Sequence, residues 1–581
     1  MEKWITDTGP WERFPYFTRA NADEVGPEPF SPLGWSLAWV KGTGPGASDG
    51  YVSFGVFRPE EMEPRLSVFA NYGGYFYNAL STARILGVRM PGASPEAVDI
   101  AYFGDHPGVP PYEPDPRDED PERSEALTRR IEWLFSTDSF PELDEAIALT
   151  LRTRDSRPDL SALTETELVA HSRQVVSLIR EVWRPYCMVL LGISIVSGTV
   201  AEVVKGMGRT DALIPLFSGL GGVESAGGSL GVWKLSRHVR RSPALGAAFD
   251  SGAGGLLGRI HQLADEGSAE AKNFLADLDA LIAEHGHRGP HEWDLRSECW
   301  ATDPSLLLGM IDHVRGQDDD HDPAALAARS AEEREALTSS LASALEGDPE
   351  TQAMLAAALR ASSLLFRLRE AGKSACIRLH FEAKLALREL GRRAADKGAT
   401  DTADHVFFLL DEELDAFAAD PGSFTTTLRQ RAADFAFLQQ IEPPYIVDSR
   451  VGPPPIDSWP RKGAGGAPDL ARAGDVLQGG PASPGRATGR ARIVDNPAIA
   501  EFDVGDVLVC QTTDPSWVPL FLAASAVVCN VGAFASHAAI VARELGVPCA
   551  VSVVDATGRI PDGATIEVDG GTGTVTIVSV D

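Results

Sequence analysis

The sequence has little cysteine and none of the cysteine patterns that build disulfide frameworks or zinc ribbons. Its 581 residues include only six cysteines, none in a C-x-x-C pair, namely Cys187, Cys299, Cys376, Cys510, Cys529 and Cys549. Disulfide-rich folds and zinc ribbons need paired, closely spaced cysteines. We therefore expect small, buried, reduced thiols and a cytoplasmic protein.

Positive charge is also scarce. The chain carries 52 Lys and Arg residues against 83 Asp and Glu residues, which gives a formal net charge of −31 at pH 7. A surface of this sign repels a polyphosphate backbone, and no basic cluster stands out against it. These observations predict that nucleic acid is not a partner.

Long hydrophobic runs and a signal peptide are missing as well. The N-terminus lacks a basic start followed by an apolar run. The longest weakly polar stretch, residues 186–201, is short for a membrane span and is interrupted by glycine and serine. We expect a buried core helix there, and no membrane association.

Two further stretches resemble ligand motifs but lack their defining residues. The glycine-rich segment 216–235 has no G-K-[ST] sequence, so we interpret it as a bend that allows a helix N-terminus or a ligand to approach the backbone rather than a phosphate-binding loop. Residues 284–304 contain His285, His287 and His291, but glycine and proline prevent the i, i+4 helical presentation of a zinc site. We predict neither a metal site nor a firmly bound cofactor.

The periodicity divides the chain into a large helical part and a small α/β part. Residues 1–445 are predicted to form one mostly helical domain, because apolar residues recur at spacings of three and four from about residue 120 onward. Residues 446–474 are rich in proline and glycine and predict a linker. Residues 475–581 contain short β-like runs around one helix, which indicates an α + α/β multidomain chain.

His537 stands where a glycine-containing loop gives way to that helix. Apolar residues from Ala538 to Leu545 are spaced for one buried face, and Gly546 supplies the stop. The free N–H groups and the dipole of a helix N-terminus favour an anion such as a phosphorylated imidazole. A histidine that only packs or caps its helix is the alternative.

The segment from Asn530 to Pro548 resembles the phosphohistidine motif of the PEP-utilising enzymes, a family that includes phosphoenolpyruvate synthase and rifampin phosphotransferase. The resemblance extends to three more blocks, residues 481–494, 512–521 and 555–575. It implies a swivelling phosphohistidine domain with His537 as the phosphoryl carrier. The loop departs from the family pattern at Asn530, where an acidic residue is common, and at Ala533, where a second glycine is common.

Arg369 and Lys373 lie four residues apart on a predicted helix, beside an apolar stripe. Two such cations repel each other mildly, and a solvated helix edge is the alternative to an anion site. Residues 362–414 resemble the helix of rifampin phosphotransferase-like enzymes that carries an essential arginine and lysine. The resemblance implies that both residues bind the phosphoryl group during transfer.

Residues 284–304 also resemble the acceptor domain of the same enzymes, which implies a rigid turn that projects Arg288, Glu292 and Asp294. An arginine there would steer phosphate, and a carboxylate would take a proton from an acceptor hydroxyl. Structural ion pairing is an equal alternative. The opening segment, residues 19–37, resembles the start of that acceptor domain, which implies a pocket role for Glu24.

The resemblance thus implies a phosphotransferase component. His537 would carry a phosphoryl group to a hydroxyl of a small organic acceptor, and a separate ATP-grasp subunit would supply it from ATP and magnesium, because the sequence opens with acceptor-like residues and shows no ATP-grasp segment. The alternative is an ATP-independent dehydratase, cyclase or ligand-binding protein of small-molecule biosynthesis on the same scaffold.

Overall fold

A computed structural model describes residues 4–6, 8–62, 68–103, 108–221, 224–462, 470–495, 502–513, 517–533 and 536–580. Part of the predicted linker, residues 463–469, lies outside these ranges, as do residues 514–516 and 534–535 of the blocks around His537.

Helices make up most of the first 440 residues. The α-helices in chain order are α1 (Ala22–Val25), α2 (Gly44–Phe54), α3 (Leu80–Arg89), α4 (Pro95–Phe103), α5 (Pro121–Ser136), α6 (Pro141–Asp155), α7 (Glu165–Gly206), α8 (Glu224–Arg241), α9 (Pro243–Asp250), α10 (Leu256–Asp265), α11 (Ala269–His285), α12 (Pro304–Arg315), α13 (Pro323–Ala344), α14 (Pro349–Asp396), α15 (Leu414–Ala419), α16 (Thr425–Leu438), α17 (Val518–Ala523), α18 (His537–Leu545) and α19 (Ala556–Arg559). A π-helix, Gly34–Thr43, precedes α2.

A capping residue followed by proline starts several of these helices. The side chains of Asp120, Ser242, Asp303 and Asp322 each accept a hydrogen bond from a backbone N–H in the first turn of α5, α9, α12 and α13. Proline then occupies the first helical position, where its missing N–H is not needed. This local chemistry explains why the helix starts are readable in the sequence.

The strands form two sheets within the described residues. They are β1 (Tyr16–Thr18), β2 (Phe69–Tyr72), β3 (Tyr75–Ala79), β4 (Ile446–Asp448), β5 (Val476–Gln478), β6 (Gly480–Ser483), β7 (Arg486–Ile493), β8 (Val507–Cys510), β9 (Ala526–Cys529), β10 (Cys549–Val551), β11 (Thr565–Asp569) and β12 (Thr574–Ser579). The first sheet has the order β2-β3-β1-β4, and the second has the order β5-β12-β11-β7-β8-β9-β10-β6.

The backbone contacts divide the chain into two compact units. Unit 1 comprises residues 1–196, 293–296 and 371–466, and unit 2 comprises residues 197–292, 297–370 and 467–581. The predicted fold class is confirmed, since a large helical part is followed by a smaller mixed sheet with helices. The predicted boundaries at residues 445 and 474 stay a prediction.

Unit 1 contains the antiparallel four-stranded sheet and a dense aromatic core. The Trp39 ring packs against the rings of Phe30, Phe69, Phe76 and Trp293, with centroid separations of 4.6–6.2 Å. The aromatic residues of the opening segment therefore build the core of this unit. The sequence patterns did not predict its sheet, whose strands are only three to five residues long.

Unit 2 contains the eight-stranded sheet, in which β7, β8, β9 and β10 run parallel. The central strands β8 and β9 are buried along their whole length, as expected where helices cover a parallel sheet. One apolar cluster joins this part to the helices of the same unit, since it includes Val232 and Leu307 together with Phe521 and Leu545.

Helix α7 is the only helix among the described residues that is long and apolar enough to cross a membrane. Half of its most apolar window is buried inside the protein, including Val189 and Val196. A core helix of a soluble protein has the same properties, and this one contains the stretch predicted to be a core helix.

Candidate functional site

Strand β9 leads through residues 530–533 toward α18, so the sheet itself places the start of this helix. His537 is the first helical residue. The Ser536 hydroxyl caps the helix by accepting a hydrogen bond from the Ala539 N–H at 3.3 Å. Gly546 ends the helix in the left-handed conformation, with a φ of 66°. The position predicted for His537, at a helix N-terminus, is therefore where it lies.

His537 is buried, with 8% of its surface exposed, and its Nδ1 lies 3.1 Å from the Thr513 hydroxyl. Thr513 comes from the segment that follows β8, the strand next to β9 in the sheet. A fixed partner at one ring nitrogen decides the tautomer and orientation of the ring. The sequence patterns missed this role, because the two residues are 24 positions apart and meet only through the strand pairing.

The segments that follow β8 and β9 are hydrogen-bonded to each other. The Asn530 amide donates to the Gln511 Oε1 at 2.6 Å and to the Thr557 hydroxyl at 2.7 Å. Its Oδ1 accepts from the Thr557 N–H at 2.9 Å. A carboxylate at 530 has no N–H for the first two bonds, so the departure from the family pattern is built into the local network.

Arg543 and Glu544, near the other end of α18, are both buried. Burial lowers the pKa of the Arg543 guanidinium to about 10, and the positive charge of Arg369 acts in the same direction, against Glu544 and Cys549. Arg369 itself forms an ion pair with Glu370. Unit 2 thus brings Arg369 close to the helix that His537 begins.

Lys373 lies one turn beyond Arg369 on α14, which confirms that the two residues share a helix. The four-residue spacing puts both on one side of the helix. Lys373 belongs to the part of α14 in unit 1, where the adjacent Gly372 packs closely on the Tyr186 ring. The structure shows helical placement for both residues, and their action on a phosphoryl group stays a prediction.

The turn after α11 is held by backbone hydrogen bonds. The Arg288 N–H donates to the His285 carbonyl at 2.9 Å, and the Arg288 carbonyl accepts from the Trp300 N–H at 2.9 Å. The Arg288 guanidinium lies 3.4 Å from the Glu292 carboxylate, and both side chains are buried. His291 takes a φ of 50°, which is uncommon for a residue with a side chain. Arg288 and Glu292 therefore form one buried pair in unit 2.

Asp294 has a well-defined structural environment in unit 1. Its carboxylate accepts hydrogen bonds from the Ser31 N–H at 2.9 Å, from the Ser31 hydroxyl at 2.5 Å and from the Arg296 N–H at 3.3 Å. A side chain at Gly34 would overlap the Asp294 oxygen, so the π-helix starts tightly against it. These contacts favour the structural alternative for Asp294 over a substrate-binding role.

Glu24 lies on the short helix α1 in unit 1 and is partly buried. The neighbouring Arg19 forms an ion pair with Asp23 and donates to the Gly26 carbonyl at 2.9 Å. Asn21, at the start of α1, takes a φ of 57°. The segment is a tight polar turn, and a pocket role for Glu24 stays a prediction.

The glycine-rich segment bends at Gly219 and Gly221, which take φ values of 57° and 67°, and is helical from Glu224 onward. Helix α8 begins at Glu224, and side chains at Gly227 and Gly228 would lie 3.1 Å from the His285 and Trp300 rings. The glycines therefore allow close packing of a helix against side chains. Within the described part of the chain, no group of three or more His, Cys, Asp or Glu residues is arranged to hold a metal ion.

Two family models match the chain. Residues 186–370 match the fourth domain of rifampicin phosphotransferase, and residues 502–573 match the mobile domain of PEP-utilising enzymes. The second match contains both Thr513 and His537, and the first contains Arg288, Glu292 and Arg369.

Individual relatives agree with these matches. An uncharacterized protein of Mycobacterium tuberculosis is 29% identical over 98% of this chain and 62% of its own length. Rifampicin phosphotransferase of Streptomyces sviceus is 31% identical over 54% of this chain and 35% of its own. Phosphoenolpyruvate synthase of Aeropyrum pernix is 40% identical over 24% of this chain and 19% of its own. The chain thus spans less than two thirds of the length of these relatives.

Proposed function

We propose that this chain, which is related to the PEP-utilising enzymes, carries a phosphoryl group on His537 and passes it to a hydroxyl of a small organic acceptor. The observation that carries the proposal is the placement of His537. Its ring stands at the N-terminus of a capped helix, and its Nδ1 is held by Thr513. A helix N-terminus stabilises the negative charge of a phosphoryl group.

The chemistry has two steps. The lone pair of Nε2 attacks phosphorus of the donor, so that a P–N bond forms while the bond to the leaving group breaks. The acceptor oxygen then attacks the same phosphorus, the P–N bond breaks, and the hydroxyl proton passes to a base. Covalent phosphohistidine replaces one difficult transfer by two easier ones. We assign Nε2 as the attacking atom because Thr513 occupies Nδ1.

The remaining site residues are assigned to the second step. Arg369 and Lys373 would stabilise the charge on the transferring group, as positioned cations do in phosphoryl transfer. Arg288 would orient the phosphoryl group, and its partner Glu292 would accept the hydroxyl proton. Glu24 would line the acceptor pocket, and we give Asp294 a structural role instead.

The donor is proposed to be ATP with magnesium, acting through an ATP-grasp partner. The comparisons with rifampicin phosphotransferase and phosphoenolpyruvate synthase support phosphoryl chemistry of this class. The acceptor is proposed to be a hydroxyl compound. The related prodigiosin synthesizing transferase of Serratia marcescens, 30% identical over 60% of this chain, supports an acceptor from small-molecule biosynthesis.

Chemical phosphorylation tests the carrier role without the partner. Phosphoramidate transfers phosphate directly to histidine nitrogens, and mass spectrometry locates the product. We expect acid-labile, base-stable phosphate on His537 of the native chain, and none at that position in His537→Ala. His261→Ala, which changes a histidine of α10, is the matched control and should label like the wild type.

Two outcomes would count against the proposal. The first is label that spreads over the other histidines while His537 stays unmodified. The second is full product formation by the purified chain with no phosphate donor present, which would favour the ATP-independent alternative. In that case His537 would act at most as a general base, and His537→Ala would lose only part of the rate.

A further inference from the structure

A loop of unit 2 connects the 3-10 turn Pro215–Phe217 to α8 and is hydrogen-bonded from two sides. We call its residues Ser218, Gly219 and Leu220 the docking loop. From α13, the Arg334 guanidinium donates to the Gly219 carbonyl at 2.6 Å. From α18, the Glu544 carboxylate accepts the Leu220 N–H at 3.2 Å. The docking loop thus joins the helix that His537 begins to the helical part of the unit.

The close packing of the docking loop against α13 explains why position 219 is a glycine. Gly219 takes a φ of 57°, and a side chain there would overlap the backbone of Ala331 in α13. Phe217, directly before the loop, packs its ring against Phe366 of α14 at a centroid separation of 5.4 Å. Because Phe366 precedes Arg369 by one turn, the residue before the loop contacts the helix that carries this predicted phosphoryl-binding residue.

Glu544 is buried among charged and polar groups of unit 2. The residue is 9% exposed, and burial raises the pKa of its carboxyl group, while the Leu220 N–H, Arg543 and Arg334 act in the opposite direction. Glu370 adds a further negative charge nearby. Burying a carboxylate is expensive unless partners compensate for the lost water. Here the compensating partners come from α18 itself, α13 and the docking loop.

We propose that the contact between Glu544 and Leu220 seats the His537 helix on the helical part of unit 2 and thereby fixes His537 for delivery. Glu544 is a positioning residue, since it lies two turns from His537, about 10 Å along the helix axis. This inference rests on the proposed function, in which His537 carries the phosphoryl group from a donor to an acceptor.

Distance measurements between two spin labels test the docked arrangement directly. All six native cysteines are buried, so engineered surface cysteines are labelled selectively. Ser340→Cys places one label on an exposed position of α13. Val554→Cys places the other on an exposed position between β10 and α19, in the part of the chain that contains His537. We expect one narrow distance distribution for the otherwise unchanged chain.

Four variants separate the contact from general packing. Glu544→Ala should reduce the docked population relative to undocked forms roughly tenfold, the scale of one hydrogen bond to a charged group. Glu544→Gln keeps an acceptor oxygen and should retain most of the narrow distribution. Glu332→Ala removes an exposed carboxylate of α13 and should change nothing. Arg334→Ala frees the Gly219 carbonyl and should broaden the distribution from the other side of the loop.

An unchanged distribution in both Glu544→Ala and Arg334→Ala would overturn the inference, and so would equal broadening in Glu544→Ala and Glu544→Gln. Neither result depends on phosphate. A failure of phosphoramidate labelling at His537 would instead overturn the proposed function while the docking result stands.

Discussion

The Thr513 hydroxyl lies 3.1 Å from Nδ1 of His537, and this contact joins the segments that follow two adjacent strands of the sheet. It fixes the ring of a histidine that stands at a helix N-terminus. If Nδ1 is held in this way, the other nitrogen of the ring is the one presented for chemistry.

Thr513→Val should therefore slow phosphorylation of His537 and reduce its preference for Nε2. One hydrogen bond contributes about 1 kcal/mol, which corresponds to roughly a fivefold slower rate. Phosphorus NMR of the phosphoramidate-treated chain distinguishes the two phosphohistidine isomers. Thr513→Ser keeps the hydroxyl and should behave like the wild type; equal rates and isomer ratios in the valine variant would mean that the contact has no role in the chemistry.

Local chemistry explains what could be predicted from the sequence. The start of α18 at His537 and its stop at Gly546 follow from residues that act within one turn of the helix. The short apolar runs of the C-terminal part likewise became β7, β8 and β9, because period-two and fully buried patterns depend on near neighbours.

Long-range pairing explains what could not be predicted. Strand β1 pairs with β4, which lies more than 400 residues later, so neither three-residue strand carries a recognisable signal alone. The contact of Asp294 with Ser31 was not predicted, because the two residues are 263 positions apart in the sequence. The same reason hid Thr513 and the contact between Glu544 and Leu220.

Arg369 and Lys373 are predicted to act together on the transferring phosphoryl group. Loss of either cation should slow transfer from phosphorylated His537 on the order of a hundredfold, and the double variant should be little worse. The measurement is the rate at which ³²P leaves the protein for a small-molecule extract of the source cells. Arg367→Ala, which changes an exposed arginine of the same helix, is the control.

Near-normal transfer in both single variants would assign Arg369 and Lys373 to a solvated helix edge. A defect confined to Arg369 would instead fit its proximity to Arg543 and the ion pair with Glu370. A defect in phosphorylation of His537 can be distinguished from a defect in transfer, because the label on His537 is measured before the acceptor extract is added.

Asp294 should prove to be a stability residue of unit 1. Asp294→Ala leaves the buried N–H and hydroxyl of Ser31 without their acceptor, and we expect the free energy of unfolding to fall by roughly 2–4 kcal/mol. Asp294→Asn keeps one carbonyl oxygen and should lose about half as much. Chemical denaturation measures both values. Unchanged stability combined with lost transfer would restore the substrate-binding role.

The buried cysteines give the last prediction, which concerns the resting state of the thiols. Burial raises the pKa of Cys187 to about 12, and it raises the pKa of Cys376, Cys510 and Cys549 well above the ordinary value. The thiolate is the reactive form, so the native chain should react slowly with Ellman's reagent at pH 8, and six thiols should react at once after denaturation. Unfolded thiols ionise near pH 8.5 while the buried ones stay protonated, so the free energy of unfolding should fall as the pH rises above that value. Ser340→Cys should add one rapidly reacting thiol to the native count. Rapid reaction of Cys510 and Cys529, whose Sγ atoms lie 3.6 Å apart on β8 and β9, would show that this sheet opens readily to solvent.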